Sequence, residues 1–213
     1  MPEAATLTLG YRKGDRGTHC GVLYESKDGS ISMLHLAGHR MLLSVKAWPH
    51  YMEIPTPRLL PAQRIAISDV CRFIFEKHGA KGLPYSAYIA QYFTPEGDLV
   101  LDRIGAGFTC TTFVADIFRT RGCALVDLTT WPPGNALSDR FFAWLVDLFR
   151  VRYPEDKAHF DAVADPDCKR SRLRAEELCA AASIAPPPSD YSAIKNRAKR
   201  LYKNLVSAYH SFD

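Results

Sequence analysis

The stretch that most restricts how this chain can fold lies near its start. Residues 18–24 (Thr18-His19-Cys20-Gly21-Val22-Leu23-Tyr24) and 30–37 are two strand-length, apolar-rich runs flanking Glu25-Ser26-Lys27-Asp28-Gly29. The Asp28-Gly29 pair between them is a hairpin signal, because both residue types accept the left-handed backbone a tight turn demands. Register then decides what the hairpin presents, since a slip by one residue moves every side chain to the other face. A two-residue loop, Asp28-Gly29, pairs Lys27 with Ser30 and sets His19 opposite Gly38, with His35 and His39 facing away. A three-residue loop, Lys27-Asp28-Gly29, pairs Ser26 with Ser30 and sets His19 opposite Ala37. His35 and His39 then become its same-face diagonal neighbours, about 7–8 Å away before side chains reach across. Glycine in the third loop position favours this second register.

Beyond the hairpin the period changes from two to that of helices. Apolar positions Ile65, Ile67, Val70, Phe73, Ile74 and Phe75 predict a helix over 61–78, with Gly79 placed to cap it. Gly82-Leu83-Pro84-Tyr85 predicts a short second helix running to about Tyr92, with Pro84 in its first turn. Residues 98–103 alternate as a strand. Gly105-Ala106-Gly107-Phe108-Thr109-Cys110 is a glycine-bearing turn into a helix over 111–121, with Phe113, Val114, Ile117 and Phe118 apolar and Gly122 behind it. A further amphipathic helix is expected over 137–151, its buried stripe Phe141, Trp144, Leu145 and Leu148. After Arg152 the composition breaks: Tyr153-Pro154-Glu155-Asp156, Asp165-Pro166-Asp167 and Pro186-Pro187-Pro188 punctuate short helices before a last one over 191–209. Strands first and helices after predict an α+β fold, an antiparallel sheet packed against helices. We divide it into a core, 1–151, and a helical C-terminal appendage, 152–213.

Composition narrows the class. With 213 residues, 47% of them hydrophobic, the chain has enough apolar material for one globular domain and is not disordered. The formal net charge of +4 is too small for a nucleic-acid partner to be expected on that ground. Cys20, Cys71, Cys110, Cys123, Cys168 and Cys179 are scattered, with no C-x-x-C pair and no zinc spacing, so neither a disulfide scaffold nor a structural metal is expected. No stretch approaches the roughly 18 apolar residues of an integral membrane segment, and the N-terminus lacks the basic start and apolar core of a signal peptide. The expected location is the cytoplasm, or outside the cell by export without a classical signal.

Cys110 opens a helix behind a glycine turn, where unpaired N–H groups and the positive end of the helix dipole favour thiolate over thiol. A backbone N–H at the same place can meet an oxyanion. His19, on a strand where Gly21 allows close approach, is the candidate base; His35 or His39 is the candidate partner for its other ring nitrogen. Tyr85, Tyr88 and Gln91 are candidates for a second oxyanion donor. Cys20 alternates to the face opposite His19 and reads as core, as do Cys71, Cys123, Cys168 and Cys179. His39, beside Arg40, reads as a solvated loop residue. Trp48 and Trp131-Pro132-Pro133-Gly134 read equally as a cleft rim or a turn between core elements. On the last helix Lys195, Arg197, Lys199, Arg200 and Lys203 crowd a stripe of Tyr191, Ile194, Ala198, Leu201, Tyr202, Leu205 and Tyr209. We expect that stripe to dock on the core with the charges in water, the alternative being an anionic surface as partner.

His19-Cys20-Gly21-Val22-Leu23-Tyr24, then Met33-Leu34-His35-Leu36-Ala37, then Thr109-Cys110-Thr111-Thr112-Phe113-Val114 resemble the permuted NlpC-type branch of the papain-like thiol enzymes. That branch includes lecithin:retinol acyltransferase with its phospholipase/acyltransferase relatives, and bacterial amidases and peptidases. Gly82-Leu83-Pro84-Tyr85 is similar to a cleft-shaping motif of the bacterial members. The resemblance spans residues 11–122 and implies a circularly permuted papain-like fold, with Cys110 as nucleophile, His19 as base and His35 as its orienting partner. It implies a cofactor-free and metal-free cysteine hydrolase acting on a peptide or peptidoglycan-stem amide. The alternatives are a thiol acyltransferase or phospholipase acting on lipid esters, and a non-catalytic binding or effector domain that keeps the fold.

Overall fold

The computed structural model describes residues 4–12, 17–46, 50–86, 92–132, 136–164, 172–184 and 188–210. Five strands, β1 (Leu7–Arg12), β2 (Gly17–Glu25), β3 (Ile31–Gly38), β4 (Met41–Val45) and β5 (Tyr51–Ile54), form one antiparallel sheet in the order β4-β3-β2-β1-β5. β2 and β3 are the arms of the expected hairpin, and their loop is the three-residue one. Ser26 N–H donates to Ser30 O at 2.9 Å, Gly29 takes φ +75°, and the ladder runs from Glu25↔Ile31 to Val22↔Leu34. Asp28 fixes the turn by accepting from the Ser30 N–H and from the hydroxyls of Ser26 and Ser30 at 3.1, 2.9 and 2.6 Å.

Among the described residues six α-helices follow: α1 (Pro61–His78), α2 (Cys110–Thr120), α3 (Ala136–Arg152), α4 (Lys157–Ala164), α5 (Ala175–Ala182) and α6 (Tyr191–His210). One face of the sheet, Leu7, Leu9, Cys20, Val22, Leu34 and Leu36, shares a single buried cluster with α1 (Ile67, Val70, Ile74) and α2 (Phe113, Val114, Ile117, Phe118). Leu178 and Cys179 of α5 and Ile194, Ala198 and Leu205 of α6 belong to the same cluster, so these late helices are continuous with the core formed by the first hundred residues. Each fully buried side chain of this size stabilises the fold by about 1.5–3 kcal/mol. Docking is thus what the apolar stripe of α6 does, while Lys195 and Lys199 on the same helix are exposed. A smaller cluster joins Phe142, Val146 and Phe149 of α3 to Phe160 and Val163 of α4.

Several expectations need correction. α1 buries Ile67, Val70, Cys71 and Ile74, but Ile65 and Phe73 are exposed, so the inward stripe is narrower than predicted. Gly79 stays right-handed at φ −55°; the left-handed glycine closing the segment is Gly82 (φ +68°), whose N–H donates to His78 O at 2.7 Å. The predicted helix at Gly82-Leu83-Pro84-Tyr85 is extended chain, and its expected remainder, 87–91, lies outside the described residues. Here the tertiary frame wins over the local proline signal: Leu83 O accepts from the Arg40 N–H at 2.8 Å, and Tyr85 bridges Phe108 in parallel. A Cβ on Gly82 would stand 2.2 Å from Arg40 O, so only glycine lets the two backbones pass. Residues 98–103 contribute an isolated bridge, Leu99 to Phe93, and no strand. On α3 the buried residues are Phe142, Val146 and Phe149; Trp144 and Leu148 face solvent, so the predicted face is rotated by about one residue.

Candidate functional site

β2, β3 and the leading end of α2 converge on one point. α2 starts where the fold requires it because Thr109 and Thr112 cap each other: the Thr112 N–H donates to Thr109 Oγ1 at 3.1 Å, and the Thr109 N–H to Thr112 Oγ1 at 2.9 Å. Cys110 is therefore the first helical residue, 7% exposed. Among the described residues its backbone N–H meets no acceptor. Thr111 Oγ1 lies 3.7 Å from the Cys110 Sγ.

The hairpin supplies the imidazoles. His19 Nε2 and His35 Nδ1 are 2.8 Å apart, with ring centroids 5.0 Å apart and planes crossed at 81°. Both rings are buried. Gly21 makes this contact possible, since a Cβ there would press on Met33 Cγ at 2.8 Å, Leu34 O at 2.9 Å and His35 Cβ at 3.1 Å. The Tyr51 ring meets His19 edge-on at 6.1 Å, a neighbour the sequence did not flag. With Nε2 taken by His35, Nδ1 is the nitrogen of His19 available to the thiol.

The Cys110 thiol is held well below the ordinary thiol range: the Cys20 thiol donates to it, and His19 adds both charge and a hydrogen bond, which together outweigh burial. Cys20 is pushed up in turn, first by that shared hydrogen bond and then by burial, so it is the partner that keeps its proton. Cys20 is fully buried in the core cluster, as its place on the strand predicts, and its Sγ donates to Cys110 O at 3.8 Å. Cys179 is also close enough to feel the Cys110 charge, and burial drives its own pKa up. Cys71 and Cys123 are buried away from the site, and Cys168 lies outside the described residues.

His39 is not at this site. The β3 ladder with β4 shifts register between Leu36 and Gly38, and the turn beyond carries His39 into the α3–α4 cluster, where it is 1% exposed. It is not the solvated loop residue expected from its neighbour Arg40. The Tyr85 N–H donates to its Nδ1 at 3.1 Å, its Nε2 faces Asp156 Oδ2 at 2.8 Å, and Arg40 holds the other Asp156 oxygen at 2.6 Å. His35 is the histidine beside His19.

Among the oxyanion candidates, Tyr85 lies in the extended segment that bridges Phe108 just before α2; Tyr88 and Gln91 lie outside the described residues. Trp131 is buried, its indole N–H donating to Glu177 Oε2 at 3.1 Å, so it is core; Trp48, Pro133 and Gly134 lie outside the described residues. Two residues that the sequence reading missed approach from just before and within α5. Thr18 Oγ1 donates to Glu176 Oε2 at 2.5 Å, and Arg172 senses the charge of Cys110. Only long-range packing reveals them, because no local pattern links residue 172 to residue 19.

Among the described residues no group of three His, Cys, Asp or Glu side chains is arranged to hold a metal ion, and no helix is long and apolar enough to cross a membrane. Comparison with protein-family models, with curated proteins and with solved structures returns no match for this chain.

Proposed function

We propose that this chain is a cysteine hydrolase of the permuted NlpC-type, papain-like class, with Cys110 as nucleophile, His19 as base and His35 as the partner that orients it. The observation that carries the reading is the relay His35 Nδ1 to His19 Nε2 at 2.8 Å, ending on a thiol drawn well below its ordinary range. The order of the three residues along the chain, histidines before cysteine on an antiparallel sheet packed against the cysteine's helix, is that of the permuted branch.

The chemistry follows from the hydrogen bonds. His35 accepts from the His19 Nε2–H, which leaves His19 Nδ1 unprotonated to take the proton of the Cys110 thiol. The thiolate attacks a substrate carbonyl carbon, and the oxyanion meets the Cys110 backbone N–H at the helix's positive end. As the tetrahedral intermediate collapses, the carbonyl–heteroatom bond breaks and the His19 Nδ1–H protonates the departing amine or alcohol. Water, giving its proton to the same nitrogen, attacks the thioester; the acid leaves and the thiol is restored. The likeness to bacterial amidases points to a peptide or peptidoglycan-stem amide as substrate, a choice drawn from analogy of fold.

The test is the rate at which iodoacetamide labels Cys110 near neutral pH. We expect stoichiometric labelling of Cys110 ahead of the other cysteines, slowed by about 100-fold or more in His19→Ala. A Cys110 that labels no faster than Cys71, or that ignores His19→Ala, overturns the assignment in favour of a binding domain with this fold. An amine or lipid that captures the acyl group in preference to water would move the reaction to acyl transfer on the same residues.

A further inference from the structure

A cavity of about 390 Å³ lies between the start of α5 and one face of α6. Cations enter it from two separate elements: Arg172 and Arg174 from the segment leading into α5, and Lys195, Lys199, Arg200 and Lys203 from α6. Its two acidic residues are already engaged. Glu176 accepts from Thr18, and Glu177 accepts from the Trp131 indole and, at 2.9 Å, from the Arg174 N–H. Among the described residues no carboxylate pairs with Arg172 or with any of the four α6 cations. Arg172 is the unusual member. Its guanidinium is half-buried, lies 3.9 Å from the centre of the Phe141 ring, and is pressed below the ordinary guanidinium range by burial and then by Arg174. Glu176 and Cys110 compensate that charge in part, and an anion held among the clustered cations adds to the compensation.

We infer that this cavity binds a phosphate group carried by the substrate. A planar carboxylate is satisfied by one arginine fork, whereas a tetrahedral phosphate offers oxygens in every direction and so engages cations arriving from two walls. A half-open hollow with cations on two walls suits a compact mono- or diphosphate better than a nucleic-acid strand, which needs an extended backbone-tracking groove. Two residues join the cavity to the proposed reaction centre: Arg172 senses the charge of Cys110, and Glu176 is bonded to Thr18, next to His19. The phosphate held in the cavity is then a group carried elsewhere on the molecule whose amide carbonyl meets the thiol. This deepens the hydrolase reading and rests on it for the place of the scissile bond; the anion site itself does not.

The experiment is calorimetric titration of the full chain with inorganic pyrophosphate, against sodium chloride of equal ionic strength. We expect saturable one-to-one binding, weakened at least about tenfold in Lys195→Ser/Lys199→Ser and again in Arg172→Lys, which keeps the charge but loses the fork. The two lysines are exposed, so the double variant does not put folding at stake. No saturable heat, or affinity unchanged in both variants, overturns the proposal. Cys110→Ser separates it from the enzymatic reading. Pyrophosphate binding that survives in this variant, together with an unreactive wild-type Cys110, leaves the anion site standing and the hydrolase fallen; a reactive Cys110 without binding does the reverse. Sedimentation with phosphatidylglycerol vesicles, competed by pyrophosphate, identifies a lipid headgroup as the source of the phosphate. Pyrophosphate binding without sedimentation identifies a soluble phosphate ester.

Discussion

His35, within β3, and His39, in the turn just after it, are both buried, yet one meets a second imidazole and the other is built into the frame. The difference lies in what their nitrogens meet. His39 has both committed, Nδ1 to the Tyr85 N–H and Nε2 to the Asp156 carboxylate, so it is neutral and fixed as a tie between the β3–β4 turn, the Gly82–Tyr85 segment and the start of α4. His35 meets another imidazole, and His19 is among the groups that lower the Cys110 pKa. A histidine saturated by backbone and carboxylate holds structure, whereas a histidine pair with one nitrogen to spare can move a proton.

The comparison breaks most visibly if His39 is removed. His39→Ala leaves the Tyr85 N–H and one Asp156 oxygen without their His39 partner, and should cost about 2–4 kcal/mol in urea unfolding. In the folded fraction, labelling of Cys110 should be unchanged; slowed labelling would mean that the two networks are one. Burial holds His39 below its ordinary value, Asp156 opposing. The unfolded chain therefore takes the proton first, and the stability from neutral His39 is full above about pH 6.5 and is lost as pH falls toward its folded pKa. Substituting Gly21 strikes the other network. Gly21→Ala drives a methyl against Met33 and the His35 Cβ, for about 1–3 kcal/mol, and should slow Cys110 labelling as well. Loss of stability with labelling intact would free Gly21 from any part in orienting His35. The smallest effect belongs to Cys20→Ala. Without the Cys20 S–H donor the Cys110 pKa rises, so labelling should fall several-fold near neutral pH and by less as the pH is raised. Parallel profiles would show that Cys20 only packs.

The features legible in the sequence were those decided locally. Gly29 in the third loop position sets the hairpin register and hence the shared face of His19 and His35, and the turn before Cys110 sets the start of α2. Where tertiary contacts outrank local preference, reading failed. Pro84 signals a first helical turn, but Leu83 and Pro84 are held extended by bonds to Arg40 and Phe108. His39 looks solvated beside Arg40, but a register shift turns it inward onto residues more than a hundred positions away. Arg172 and Glu176 carry no pattern at all, because what gives them a role is the docking of α5 against the sheet.

The threonine at position 112 has a further consequence. Many helices close this kind of reciprocal cap with a glutamate three residues in, which here would add a full negative charge two residues from Cys110. A hydroxyl makes the same pair of bonds while remaining neutral. The chain thereby seals the start of α2 with no added charge, where a carboxylate at the buried position 112 would leave an unpaired anion inside the fold.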